Sequence, residues 1–154
     1  MKDKLSSLFS LKDKVIVITG GSDGLGYASA ELLSYEGAKV IICGRRGDYL
    51  NEKAKIISEK THNDVVPIQA DVSNTEDCKR LVEETILKFK KIDILINNAG
   101  ASAASFFEDV TDKNWEDDIN LKLMSTIRMC RLVIPYMKSN NKGVIINATI
   151  GGGK

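Results

Sequence analysis

The sequence predicts an α/β protein built on a doubly wound parallel sheet with strand order 3-2-1-4-5. Val15-Ile16-Val17-Ile18 is an unbroken run of β-branched apolar residues, the pattern of a strand buried on both faces, as in a parallel sheet. Strand-like apolar runs then alternate with segments of helical spacing along the whole chain, which places helices on both faces of one sheet. Right-handed crossovers favour the order 3-2-1-4-5 and leave a switch point between strands one and four. A ligand belongs above the carboxyl ends of those two strands.

Each element has its own justification. Leu5 to Asp13 is a short lead-in whose Leu8, Phe9 and Leu11 are expected to cover the edge of the core. The first strand ends at Thr19-Gly20, and Gly24-Leu25-Gly26 opens a helix with Leu25, Ala28 and Leu32 at helical intervals. Glu36-Gly37 stops that helix with glycine in the left-handed region. Lys39 to Cys43 is the second strand, and Asp48 to Ser58, with Leu50, Ala54 and Ile57, is a crossover helix with a charged outer face. Val65 to Ala70 is the third strand. Ser73-Asn74-Thr75-Glu76 has capping-box spacing from Ser73 to Glu76 and begins a helix carrying Cys78, Leu81, Val82, Ile86 and Phe89 inward. Ile92 to Asn97 is the fourth strand, followed by a small-residue loop from Ala99 to Ser105. A long helix from about Thr111 to Met137 has Trp115, Ile119, Leu123, Ile127, Cys130 and Ile134 as its stripe, and Pro135 ends it or kinks its last turn. Val144 to Asn147 is the fifth strand, ahead of Gly151-Gly152-Gly153-Lys154. With no repeat or linker, residues 1–154 read as a single domain.

Composition narrows the partners. A net charge of +1, with Lys and Arg spread along the chain, gives no electrostatic case for nucleic acid or an anionic membrane. No apolar run approaches the roughly 20 residues of a membrane span, and Met1 to Lys14 has no apolar core of a secretory signal. Cys43, Cys78 and Cys130 lack metal-ligand spacing and read as reduced thiols of a cytoplasmic protein, with no metal site expected. His62 sits in a polar loop and is given no role.

The chemistry concentrates at the loops after the strands. Thr19-Gly20-Gly21-Ser22-Asp23-Gly24-Leu25-Gly26 joins a buried strand to a helix N-terminus, where unpaired amides and the helix dipole favour an anion. Glycine lets a pyrophosphate approach the backbone, so the stretch reads as a dinucleotide cradle. Far downstream, Asn97-Asn98-Ala99-Gly100 ends the fourth strand beside it: amides to tie two loops together, and small residues to let a ligand pass close. The spacing Thr-Gly-x-x-x-Gly-x-Gly followed by Asn-Asn-Ala-Gly resembles the short-chain dehydrogenase/reductase family.

That resemblance implies a Rossmann-type sheet and an oxidoreductase that moves a hydride between a nicotinamide coenzyme and a carbonyl, alcohol or activated alkene in a small-molecule substrate. It implies coenzyme contacts from Thr19, Gly20, Ser22, Asp23, Gly24, Leu25, Gly26, Asn98, Ala99 and Gly100. After the second strand stand Gly44-Arg45-Arg46. A carboxylate there would bind the ribose 2′-hydroxyl of NAD, whereas two guanidinium groups grip a 2′-phosphate, which favours NADP over NAD. The alternative is a pair of solvated arginines, and the negative charge of Asp23 also weighs against NADP. Asp71 and Val72 are implied to meet the adenine; the plainer reading of Asp71 is an acid at a helix entry. Asn120, a poor residue for a helix interior, matches the asparagine that kinks this helix in the family and holds a water of the proton relay, or else is a surface amide.

The chain departs from the family at the end of strand five. An ungapped match sets Ile150 at the catalytic serine position, so Thr149 becomes the candidate for polarising the substrate carbonyl. The family's Tyr-x-x-x-Lys lies beyond strand five; Tyr35 and Tyr49 have Lys39 and Lys53 four residues on, but none of Tyr27, Tyr35, Tyr49 and Tyr136 stands after that strand. The expectation is therefore an amino-terminal portion, truncated after the fifth strand. As a whole enzyme it would form a homo-oligomer through the 111–137 helix. The other reading is a non-catalytic nucleotide-binding module.

Overall fold

The computed structural model describes residues 10–101 and 105–149. Leu8, Phe9, part of the 99–105 loop and the segment from Ile150 to Lys154 lie outside them. The elements are β1 (Val15–Thr19), α1 (Gly24–Tyr35), β2 (Lys39–Gly44), α2 (Gly47–Thr61), β3 (Val65–Gln69), α3 (Thr75–Phe89) and β4 (Ile94–Asn97). A 3-10 turn (Phe107–Asp109), α4 (Asp112–Ile119), a π-helical turn (Asn120–Met124), α5 (Ser125–Ser139) and β5 (Val144–Asn147) follow. All strand pairs are parallel and the order is β3-β2-β1-β4-β5. The predicted Rossmann-type sheet is the one observed.

Its centre is β1, whose five residues are all buried. Because side chains alternate across a strand, Val15 and Val17 join Ile41, Cys43 and Leu95 against Leu81 and Val82 of α3 and Met129 and Val133 of α5. Ile16 and Ile18 join Val40 and Ile42 against Ala30 of α1 and Leu50, Ala54 and Ile57 of α2. Each Val, Leu, Ile or Met among them contributes about 1.5–3 kcal/mol by leaving water. The predicted helix stop holds as well: Gly37 has φ +81°, and the amides of Gly37 and Ala38 donate back to Ser34 and Leu33 at 3.0 and 3.1 Å.

Four details differ from the sequence reading. The buried face of α1 is Gly26, Ala30 and Ser34, while Leu25 and Leu32 are exposed. The helix lies so close to β1 that only small residues fit beneath it: a Cβ on Gly26 would stand 2.1 Å from the Gly20 carbonyl oxygen. The cap of α3 is Asn74 rather than Ser73; its side chain accepts from the amides of Glu76 and Asp77 at 2.8 and 3.1 Å. The long helix is two, joined by the π turn at Asn120, and it continues through Pro135 to Ser139. Pro135 faces solvent, where water can satisfy the carbonyl that its missing N–H leaves unpaired. Finally, the buried residues of α5 are Ser125, Met129, Val133 and Met137, whereas Trp115, Ile119, Leu123, Ile127 and Ile134 are exposed. No helix among the described residues is long and apolar enough to cross a membrane.

Candidate functional site

The crevice at the switch point is a cleft of about 710 Å³ above the carboxyl ends of β1 to β4, within the size range of small-molecule and cofactor sites. Its walls are the four strand-end loops: Gly20, Ser22, Asp23, Gly24 and Leu25; Gly44, Arg45 and Arg46; Ala70, Asp71 and Val72; and Asn98, Ala99 and Gly100. Cys43 and Leu121 complete the lining. The sheet has brought four segments distant in sequence to one place.

Thr19 is buried beneath this lining and accepts, through Oγ1, the amides of both Asn98 and Ala99 at 3.0 Å. The Asn98 Nδ2 donates in turn to the carbonyls of Thr19 and Gly20, both at 3.1 Å. The loops after β1 and β4 are thereby tied together, as the Asn-Asn-Ala-Gly pattern predicts. The closeness explains the glycines. Gly20 has φ +67° and a Cβ there would meet the Ala99 Cα at 2.9 Å, while Gly26 is packed between the Gly20 carbonyl and the Asn98 amide. Thr19 and Gly26 thus lie under the cleft floor and shape it from below.

At the N-terminus of α1 the first amide bonded within the helix is that of Tyr27, which donates to the Asp23 carbonyl at 3.1 Å. Asp23 occupies the N-cap position yet makes no side-chain cap bond. The amides of the first turn are therefore left without a side-chain cap where Gly24 and Leu25 line the cleft, at the positive end of the helix dipole. The Asp23 carboxylate instead accepts from the Tyr49 hydroxyl and from Arg46 Nη2, each at 2.6 Å. Tyr49 holds the Asp23 carboxyl below the usual carboxylate range, with Arg46 adding to it, and the same bond pushes the Tyr49 phenol up. The Arg46 guanidinium lies 4.2 Å from the Tyr49 ring centre and the Lys53 ammonium 4.8 Å.

The remaining candidates divide. Arg45 is exposed on the cleft rim, its carbonyl accepting from Gln69 Nε2 at 2.9 Å. Asp71 Oδ1 accepts from the Ser73 amide and hydroxyl at 2.9 and 2.7 Å, so this acid shapes the entry to α3 while also lining the cleft. Val72 is buried against Cys78. Asn120 stands at the start of the π turn, outside the lining, donating to the Ser73 carbonyl at 3.2 Å and accepting from Arg128 Nη2 at 2.6 Å. Thr149 is exposed past the end of β5 and does not line the cleft. Among the described residues no group of His, Cys, Asp and Glu comes together as a metal site. Tyr49 and Lys53 are site residues that the sequence reading leaves out, although Arg46, Tyr49 and Lys53 recur at the helical spacing that puts them on one face.

Comparison with known proteins agrees with this geometry. The model of the short chain dehydrogenase family matches residues 14–154. An uncharacterized oxidoreductase of Staphylococcus saprophyticus is 37% identical over 145 residues, covering 93% of this chain and 57% of that protein. The 11-beta-hydroxysteroid dehydrogenase A of Sesamum indicum is 35% identical over 145 residues, covering 92% of this chain and 41% of the relative. Among solved structures, L-sorbose reductase from Gluconobacter frateurii complexed with NADPH and L-sorbose superimposes with a TM-score of 0.87 at 34% identity, covering 92% of this chain and 54% of that one. The chain spans about half the length of the curated relatives it matches. A sheet of this order, a glycine-lined helix start at its switch point and a family match over nearly every residue lead to one assignment: the chain belongs to the short-chain dehydrogenase family.

Proposed function

We propose that this chain is the nucleotide-binding portion of an NADP-dependent oxidoreductase that moves a hydride between NADP(H) and a carbonyl, alcohol or activated alkene of a small-molecule substrate. The observation that carries the reading is the cleft itself. The uncapped first turn of α1 lines the same cleft as Arg45 and Arg46, and no carboxylate stands among Gly44, Arg45 and Arg46 at the end of β2. The fit is supported by the glycines: Gly20 and Gly26 let the start of the first helix and the loops after β1 and β4 pack together beneath the cradle, where side chains would collide. The nicotinamide coenzyme supplies the hydride chemistry, while the protein supplies orientation and electrostatics.

In this reading the Gly24 to Gly26 backbone binds the pyrophosphate, with Ser22 and Leu25 beside it. Arg45 and Arg46 meet the 2′-phosphate, and Asp71 and Val72 border the adenine. Asn98, Ala99 and Gly100 pass against the adenosine ribose. Asn120 shapes the helix and holds a water for proton transfer. Thr149, the first hydroxyl after β5, is assigned to polarising the substrate carbonyl. NADPH in the L-sorbose reductase structure supports the coenzyme assignment. The exposed stripe of α4 and α5 supports a homo-oligomer, and the thiols support a cytoplasmic location.

Calorimetric titration of the purified chain with NADPH and NADH tests the proposal. Saturable binding is expected, with NADPH about tenfold tighter than NADH, the scale of one good charge-assisted contact. A folded sample that ignores both coenzymes overturns it.

A further inference from the structure

The cluster of Asp23, Arg46, Tyr49 and Lys53 at the cleft rim has a feature that nucleotide binding alone does not explain. Asp is a favoured N-cap because its carboxylate ordinarily accepts an amide of the first helical turn. Asp23 holds that position and makes no such bond. Both its oxygens are taken across the cleft rim, Oδ1 by the Tyr49 hydroxyl and Oδ2 by Arg46 Nη2, at 2.6 Å each. Arg46 is further held by stacking on the Tyr49 ring at 4.2 Å. Of the two arginines on this rim, one therefore already has an anion on its guanidinium.

We propose, on the strength of the nucleotide reading above, that Asp23 is an internal counter-ion that sets coenzyme selectivity. Its carboxylate occupies Arg46 and keeps the preference for a 2′-phosphorylated nucleotide below what two arginines would give. A 2′-phosphate reaching Arg46 displaces Asp23, which stays tethered to Tyr49 and clear of the helix amides. Arg45 carries the unopposed part of the recognition. The competition is modest in size, because both partners are more than half exposed and an exposed ion pair is worth at most about 1 kcal/mol, or roughly fivefold in affinity.

The test compares adenosine 2′,5′-bisphosphate with 5′-AMP on the full chain and on its Asp23→Ala variant. These probes differ only in the 2′-phosphate, so any change at the helix N-terminus cancels in their ratio. The variant is expected to bind the bisphosphate roughly fivefold tighter relative to 5′-AMP, and the gain shrinks as salt is raised to about 1 M, where charges are screened within about 3 Å. An unchanged melting midpoint confirms that the fold is intact, Asp23 being exposed. If wild type binds both probes and the ratio is unchanged or falls in Asp23→Ala, the counter-ion role is wrong while the nucleotide site stands. If neither folded protein binds either probe, the nucleotide reading fails and takes the counter-ion role with it.

Discussion

β1 and β5 flank β4 on its two sides, run parallel to it and are made of the same kind of residue, Val-Ile-Val-Ile in one and Val-Ile-Ile in the other. Yet every apolar residue of β1 is at most 1% exposed, while Val144 and Ile146 of β5 are 48% and 47% exposed. Only Ile145 of β5 packs into a core cluster, the one shared with α3 and α5. The difference lies above the sheet. β1 is covered by α1 and α2 on one face and by α3 and α5 on the other, whereas the face of β5 carrying Val144 and Ile146 has no such layer among the described residues. A strand's own residues make it a strand, and the layers around it decide what it contributes to stability.

The largest expected effect tests that directly. Ile16→Ala should cost about 4 kcal/mol and Ile146→Ala less than about 1 kcal/mol in urea denaturation; equal costs would break the comparison. Next comes the floor of the cleft. Gly26→Ala should cost about 3 kcal/mol and abolish nucleotide binding, because its new methyl meets the fixed Gly20 carbonyl and Asn98 amide rather than a yielding side chain. The junctions at the strand ends sharpen the contrast. Thr19→Val strips the acceptor from two amides and should cost about 2 kcal/mol. Asn147→Ala removes an acceptor of Asn97 Nδ2 on the exposed side and should cost under about 1 kcal/mol.

The smallest effect concerns how each strand begins. The Val15 amide of β1 donates to the Asp93 carboxylate at 2.9 Å, whereas the Val144 amide of β5 donates to the Asp93 backbone carbonyl at 3.0 Å. Burial pushes the Asp93 carboxyl up, but Lys91, the Val15 amide and Lys14 together outweigh it and hold the group below its ordinary value. A folded-state pKa below the unfolded one means stability that is complete above the unfolded value and lost as pH falls through the folded one. Urea midpoints should fall as pH is taken from 6 into the acid range and this group is protonated, and Asp93→Asn should flatten that slope.

The parallel sheet, its order and the glycine loops were legible because they rest on strong local signals: β-branched runs, a left-handed Gly37 and glycines whose side chains would collide. Helix faces were less legible. Leu25 and Leu32 look like core residues on any apolar count, but α1 approaches β1 too closely for them, and Gly26, Ala30 and Ser34 do the packing. The stripe from Trp115 to Ile134 misleads as well: its apolar spacing is helical, yet these residues are exposed and Ser125, Met129, Val133 and Met137 are the buried ones. The candidate site was legible in its backbone and in the charges of Asp23, Arg45 and Arg46, but not in how those charges pair. Nothing near Asp23 in sequence announces that Tyr49, on the next helix, holds its carboxylate; that contact exists only once β2 has returned alongside β1.

The single hydroxyl oxygen of Thr19 works as a rivet between two walls of the crevice. With the Asn98 and Ala99 amides both seated on it, the loops after β1 and β4 cannot part without shearing two bonds at once. Under the proposed function this fixes the width of the crevice floor, and any adjustment to a bound nucleotide falls to the charged side chains of the rim.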